Sequence, residues 1–324
     1  MLYPLKFKPI YKDKIWGGTR LKSLFNKDFS PLPNCGESWE LSGVEENLSV
    51  VSNGFLQGNT IKEVIEIYMG EVVGERVFNK YGHDFPLLIK LLDTESYLSI
   101  QVHPDDSYAL KHHNSLGKTE MWVVLDAKPG AEIITGFNRE VNKEVYLEHL
   151  NNGKLKEILN VETASPGDVF YLPAGRIHAI GAGITLLEIQ QTSDVTYRVY
   201  DWDRKDENGN YRELHTDRAL EVLDFNKYDQ YKTPYTLEEN KPSELVKSPF
   251  FNTRMMEFNR DREIDYSFLD SFVLLCCIEG NCIINYEGGL EVLQAGEIAL
   301  VPAELKNITL TPQGSCRIVE TYIG

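Results

Sequence analysis

The sequence predicts a mainly β fold of two related barrels with a few inserted helices, and three observations carry that prediction. Short apolar runs bounded by Gly, Pro, Asn and Asp recur about every ten residues through most of the chain, which is the pattern of a sandwich or barrel. Only two segments keep an apolar spacing of three and four residues over a helical length. A strand-turn motif of the first half, PGDVFYLPAGRIHAI, returns in the second as AGEIALVPAELKNIT, an internal repeat of one frame.

Taken in order, the opening stretch MLYPLKFKPIYKDKIWGG interleaves lysine with apolar residues and has no uninterrupted apolar core before a small-residue site. No export signal is therefore expected, and no run approaches the roughly 20 apolar residues of a membrane helix. IKEVIEIYMGEVVGERVFNKYG, from Ile61, predicts a helix ending at Gly82. LLIKLLD, YLSIQVH, EMWVVLDA and AEIITGF then read as strands, and the segment from Arg139 as a second helix broken at Asn151 to Gly153. GDVFYLPAG, ITLLEIQQ and VTYRVYDW complete the strands of the first half.

The polar stretch from about Asn226 to Ser248, with two prolines, predicts a linker. SFVLLCCIEG, CIINYEGG, LEVLQAGEIALVPA and ITLTPQGSCRIVETYI follow as the strands of a second barrel. The expected division is residues 1–235 as a chemically equipped unit with helical insertions and 236–324 as its unequipped relative. In the repeat, Gly167 is followed by Pro173, Gly175 and His178, whereas Gly296 is followed by Pro302, Glu304 and Asn307 at the same offsets. The second copy keeps the frame and lacks the histidine.

A formal net charge of −16 opposes nucleic-acid binding, which relies on Lys and Arg to displace counterions. A few cations in one pocket still suffice for a small anionic substrate. The cysteines Cys35, Cys276, Cys277, Cys282 and Cys316 are odd in number and form no CxxC pair, so they read as apolar filling in a reducing compartment, and the cytoplasm is the expected location.

In YLSIQVHPDD, Gln101 and His103 are two apart on a predicted strand and emerge on one face. Glu120 opens the next apolar strand in GKTEMWVVL, and His178 follows the Pro-x-Gly turn. Any one of these is more often an ordinary hydrogen-bonded residue. Together, two imidazoles, a carboxylate and a carboxamide oxygen suit zinc or another divalent first-row ion, with room for a water or substrate oxygen. Lys118, two residues before Glu120, shares its face and is a candidate phosphate anchor or proton-transfer group. Lys90, in an apolar strand, and Ser99, two before Gln101, are candidates for the pocket wall and phosphate contact. His112 and His113 are adjacent and read as solvated, while His83, His149 and His215 have no partner identifiable in the sequence.

GDVFYLPAGRIHAI resembles the second metal-binding motif of the cupin superfamily, and SIQVHPDD with GKTEMW resembles the type I mannose-6-phosphate isomerases in their short bacterial form. KPIYKDKIWGG, GESWELS, PLLIKLLD and TYRVYDW extend the resemblance over most of the first two-thirds of the chain. The resemblance implies two jelly-roll cupin barrels and one Zn2+ per chain held by Gln101, His103, Glu120 and His178. It further implies an aldose-ketose interconversion of D-mannose 6-phosphate and D-fructose 6-phosphate through a cis-enediol, in a monomer or weak homo-oligomer. Arg198 resembles the arginine that the family places beside the reacting carbons, where a fixed cation stabilises developing charge. Trp16 and Glu37 resemble its pocket residues, and Asp194, Arg204 and Lys205 are alternative phosphate contacts. An isomerase of another hexose phosphate, an iron cupin oxygenase and a sugar-binding module are the competing readings. The cations Lys118, Arg198 and Lys90 beside the ligand set argue against the last two.

Overall fold

The computed structural model describes residues 1–205 and 208–324 and is built mainly of strands. Its contacts divide the chain into two compact units, one of residues Tyr11–Ser38 and Lys90–Thr233, the other of Met1–Ile10, Trp39–Ile89 and Pro234–Gly324. This grouping differs from a single boundary near residue 235. The short strand Leu5–Lys6 pairs antiparallel with Ile298–Val301, and the helical segment after Thr60 also belongs to the unit that contains the C-terminal strands.

In the first unit, one sheet runs in the order Tyr197–Tyr200, Ile100–Val102, His178–Ile180, Glu132–Phe137, Leu159–Thr163. Residues 90–94 of the strand Leu87–Thr94 and the strands Ile184–Gln191, Glu120–Ala127 and Val169–Leu172 lie side by side in a second sheet. The period of two sorts their side chains. Ile100, Val102, Ile134 and Ala179 point outward to a cluster closed by Tyr146 of the helix Lys143–Asn151 and Ala219 of the helix Thr216–Val222. The alternate residues point inward, where Leu92, Trp122, Val124, Ile133, Ile180 and Leu186 fill the space between the sheets.

Each of those inward rows changes character along its strand. Leu92 gives way to Lys90, Trp122 to Glu120, Leu186 to Glu188 and Gln190, Ile133 to Thr135, and Ile180 to His178. One end of the interior is therefore hydrocarbon and the other is lined with buried polar groups. A cluster of that kind is tolerated only where its members satisfy one another or hold a ligand.

The second unit holds a six-stranded and a four-stranded sheet around Phe258, Leu275, Ile284, Leu310 and Ile318. The helix predicted from Ile61 to Gly82 is divided into Ile61–Tyr68, Gly70–Val73 and Glu75–Tyr81. Its start follows the Thr60/Glu63 capping box, as the sequence pattern requires. The first break is at Met69, at φ +46°, and the second is met from elsewhere in the chain: a Cβ on Gly74, at φ +93°, would lie 2.6 Å from the Asp270 carbonyl oxygen. The Asp270 carboxylate then accepts from the amides of Glu75 and Arg76, giving the last helix an N-terminal cap. The predicted linker is also ordered. Pro242–Lys247 is a strand paired with Asn252–Phe258, and Tyr231 is buried against the first unit's own strand, donating to the Phe137 carbonyl at 2.7 Å. All five cysteines are free and buried. No helix among the described residues is long and apolar enough to cross a membrane.

Candidate metal centre and active site

The antiparallel register places three site residues in a row. Gln101 is opposite His178 on one side and Arg198 on the other, so the three side chains leave the same face. Glu120 faces them from the second sheet, opposite Gln190. His103 Nε2 is 3.6 Å from Glu120 Oε2, and His178 Nε2 is 3.2 Å from Glu120 Oε1. The Gln101 carboxamide nitrogen is 3.4 Å from His178 Nε2, and rotation about its last bond exchanges it for the oxygen.

The two imidazoles are oriented from behind. His103 Nδ1 donates to the Val195 carbonyl at 3.0 Å and His178 Nδ1 to the Arg176 carbonyl at 2.8 Å. Each Nε2 is thereby left as a lone pair aimed inward, the tautomer a metal-binding histidine needs. Burial, then the neighbouring Lys118, holds His103 well below the usual imidazole range.

Both Glu120 oxygens are buried and make no hydrogen bond. Burial pushes this carboxyl up, but the charge of its neighbours, Lys118 foremost, outweighs that and holds it well below the usual carboxylate range. Two carboxylate oxygens therefore face two lone pairs at van der Waals distance. Such a set calls for positive charge, which Lys118 supplies on one side, and the ligand atoms of His103, Glu120 and His178 all lie within 4.8 Å of one another, close enough to share a metal ion. Two nitrogens and one oxygen at that spacing fit a divalent first-row ion.

Lys118 sits beside this group, its Nζ 3.2 Å from Glu120 Oε2 and 3.2 Å from His103 Nε2. Arg198 is half-buried; its Nη1 donates to the Glu213 carbonyl at 2.7 Å and its buried Nε makes no hydrogen bond. Lys90 is buried in a network, its Nζ donating to Glu188 at 2.9 Å and Gln190 at 2.7 Å. Burial acts to lower this lysine, but Glu188 prevails and its pKa is raised. Ser99 is buried, Trp16 packs in the interior hydrocarbon with Trp122, and Glu37 pairs with Lys14 at 3.3 Å.

Several polar partners gave little sign in the sequence. Glu188 also accepts from Trp122 Nε1 at 2.9 Å, and the Trp122 ring meets His178 edge-on at 5.3 Å. The buried Thr135 hydroxyl, opposite His178, makes no hydrogen bond. The usable signal was a Glu or Thr inside an otherwise apolar strand. His113, read as solvated, bonds the Tyr197 hydroxyl at 2.6 Å, and His112 stacks on Tyr108. His215 accepts from the Arg198 amide, His149 bonds the Val145 carbonyl and His83 packs on Phe78. Arg204 is occupied by Asp201 and the Tyr97 carbonyl, and Lys205 lies over the Tyr211 ring.

An all-β interior with two histidines and a glutamate converging at its polar end defines a metal-binding cupin. The family model for the catalytic domain of phosphomannose isomerase type I matches residues 4–139, and that for the mannose-6-phosphate isomerase cupin domain matches residues 242–323. Mannose-6-phosphate isomerase ManA of Bacillus subtilis (strain 168) is 36% identical over 97% of each chain. The mannose-6-phosphate isomerase of Streptococcus mutans is 38% identical over 95% of each. The crystal structure of the Bacillus subtilis mannose 6-phosphate isomerase superposes with a TM-score of 0.88 at 35% identity, covering 99% of both chains. The chain belongs to the type I mannose-6-phosphate isomerase family.

Proposed function

We propose that this chain interconverts D-mannose 6-phosphate and D-fructose 6-phosphate through a cis-enediol, with one Zn2+ held by Gln101, His103, Glu120 and His178. The observation that carries the proposal is the Glu120 carboxylate, buried and without a hydrogen bond, facing two inward imidazole lone pairs. Zinc, when bound, supplies a Lewis acid for the negative charge that develops on the sugar C1 and C2 oxygens.

Lys118 stands against two of the ligands and so serves the reacting end of the sugar, since the phosphate is four carbons further along the chain from C2. Its role is proton transfer between C1 and C2. Arg198, in register with Gln101, adds a fixed positive charge to the same end, where the enediolate forms. Lys118 is buried and Arg198 half-buried, and the low-dielectric surroundings strengthen the effect of a fixed charge on the transition state. Ser99, Lys90, Trp16 and Glu37 complete the substrate-binding surroundings, with Lys90 acting from within its bonds to Glu188 and Gln190.

The second barrel is structural in this reading, because the position equivalent to His178 is Asn307, which is exposed. The enzyme acts in the cytoplasm as a monomer or weak homo-oligomer. A coupled assay for fructose 6-phosphate formed from mannose 6-phosphate, run on the purified protein, after chelation and after zinc is restored, tests the proposal. Turnover that vanishes on chelation and returns with zinc is expected. Turnover indifferent to chelation would remove the metal from the mechanism, and metal-loaded protein with no turnover would remove this substrate.

A further inference from the structure

The turn that carries His178 is held from outside by a segment whose composition resembles a linker. Gly175 donates to the His103 carbonyl at 2.9 Å, so the same turn touches both histidines. Its φ is +88°, and a Cβ there would lie 2.9 Å from the Val222 carbonyl oxygen. The Asp224 amide donates back to the Gly175 carbonyl at 2.9 Å. The next residue, Arg176, supplies the carbonyl that fixes the His178 tautomer.

The Arg176 side chain is only 7% exposed. Its guanidinium carbon lies 4.2 Å from the Tyr228 ring centroid and 5.0 Å from that of Tyr231, and its Nε makes no hydrogen bond. Contact with the two rings, together with the Tyr228 hydroxyl, offsets its burial. Both rings are anchored: Tyr231 donates to the Phe137 carbonyl, Tyr228 donates to Asp224 at 2.7 Å, and the Tyr228 amide donates to the Tyr231 hydroxyl.

We propose that Arg176, held against the clamp that the edge-to-face rings of Tyr228 and Tyr231 form, is a positioning residue that sets the orientation of His178 and thereby the affinity of the metal site. The inference rests on the reading of His103, Glu120 and His178 as metal ligands. Without the clamp, the Arg176 carbonyl gains freedom, and His178 can rotate or adopt the other tautomer. Loss of such an outer partner weakens metal binding by roughly 10- to 100-fold in other histidine sites.

The test is competition of the full-length protein against a chromogenic chelator for Zn2+, with the Co2+ absorption spectrum as a second readout of ligand geometry. Arg176→Ala and Tyr228→Ala are expected to weaken Zn2+ binding about tenfold or more and to alter the Co2+ spectrum. Tyr228→Phe, which keeps the ring and loses the bond to Asp224, is expected to weaken Zn2+ binding less than Tyr228→Ala. Tyr228 is 40% exposed, so its alanine variant carries the test if Arg176→Ala does not fold. Parent affinity and spectrum in the alanine variants would overturn the clamp alone. Equal losses in Tyr228→Phe and Tyr228→Ala would overturn it by assigning the effect to the hydroxyl. A parent protein that binds no Zn2+ would overturn the ligand reading and the clamp with it.

Discussion

Replacing Lys90 with methionine removes the ammonium that compensates a buried carboxylate. Lys90 Nζ is 2.9 Å from Glu188 Oε1, and the two side chains are 8% and 5% exposed. After Lys90→Met, Glu188 keeps the Trp122 indole N–H and loses its only ion pair among the described residues. Breaking one partner of a buried pair costs about 3–5 kcal/mol. For a unit of this size each kcal/mol moves the melting midpoint by about 2–4 °C, so the midpoint is expected to fall by roughly 6–20 °C. Adding Glu188→Gln neutralises the stranded charge and should restore part of the loss, a positive coupling in the double-mutant cycle. The sign with pH follows from the raised Lys90 pKa: its contribution is complete below the unfolded value of about 10.4 and is lost only as pH climbs through the higher folded value. The deficit of the variant should therefore be constant between pH 6 and pH 9 in thermal denaturation followed by circular dichroism. A variant within about 2 °C of the parent, against the 6–20 °C worked above, would refute the assignment of a compensating ion pair. A double variant less stable than the single one would refute it equally.

His178→Ala should lose zinc and turnover together, read by metal analysis of the dialysed protein beside the coupled assay; full metal occupancy would contradict the ligand set. Arg198→Ala should retain zinc and lower kcat by about 10²–10³-fold, the size expected for one fixed charge-stabilising group, and unchanged kcat would place Arg198 outside the chemistry. The five cysteines are buried, and burial raises the Cys276 thiol, so a thiol reagent should find none in the folded protein within minutes and five in denaturant. Rapid reaction of any of them in the folded state would show that this burial is incomplete.

The candidate ligands were legible because their signals are local. Gln101 and His103 follow from strand alternation, and His178 from a turn whose glycine and proline are visible in the sequence. The features that escaped depend on distant residues. Gly70 and Gly74 hint at breaks, but the Asp270 carbonyl packed on Gly74 comes from nearly two hundred residues away. The polar run around Tyr228 reads as a linker until Arg176 is seen stacked on it. Lys90 looks like an exposed lysine or a free phosphate contact until Glu188, nearly a hundred residues later, is found bonded to it. Sheet neighbours of that kind are set by topology, to which a window of sequence is blind.

The pairing of Leu5–Lys6 with Ile298–Val301 also orders events during synthesis. At about 5–20 residues per second, the ribosome needs roughly 15–60 s between making the first of these strands and the second. Through that interval the early strand has no sheet to join, while the last residue of the metal-site unit, Thr233, emerges well before Ile298. The unit with the proposed catalytic residues can thus close on a nascent chain whose other unit is still waiting for its final strands.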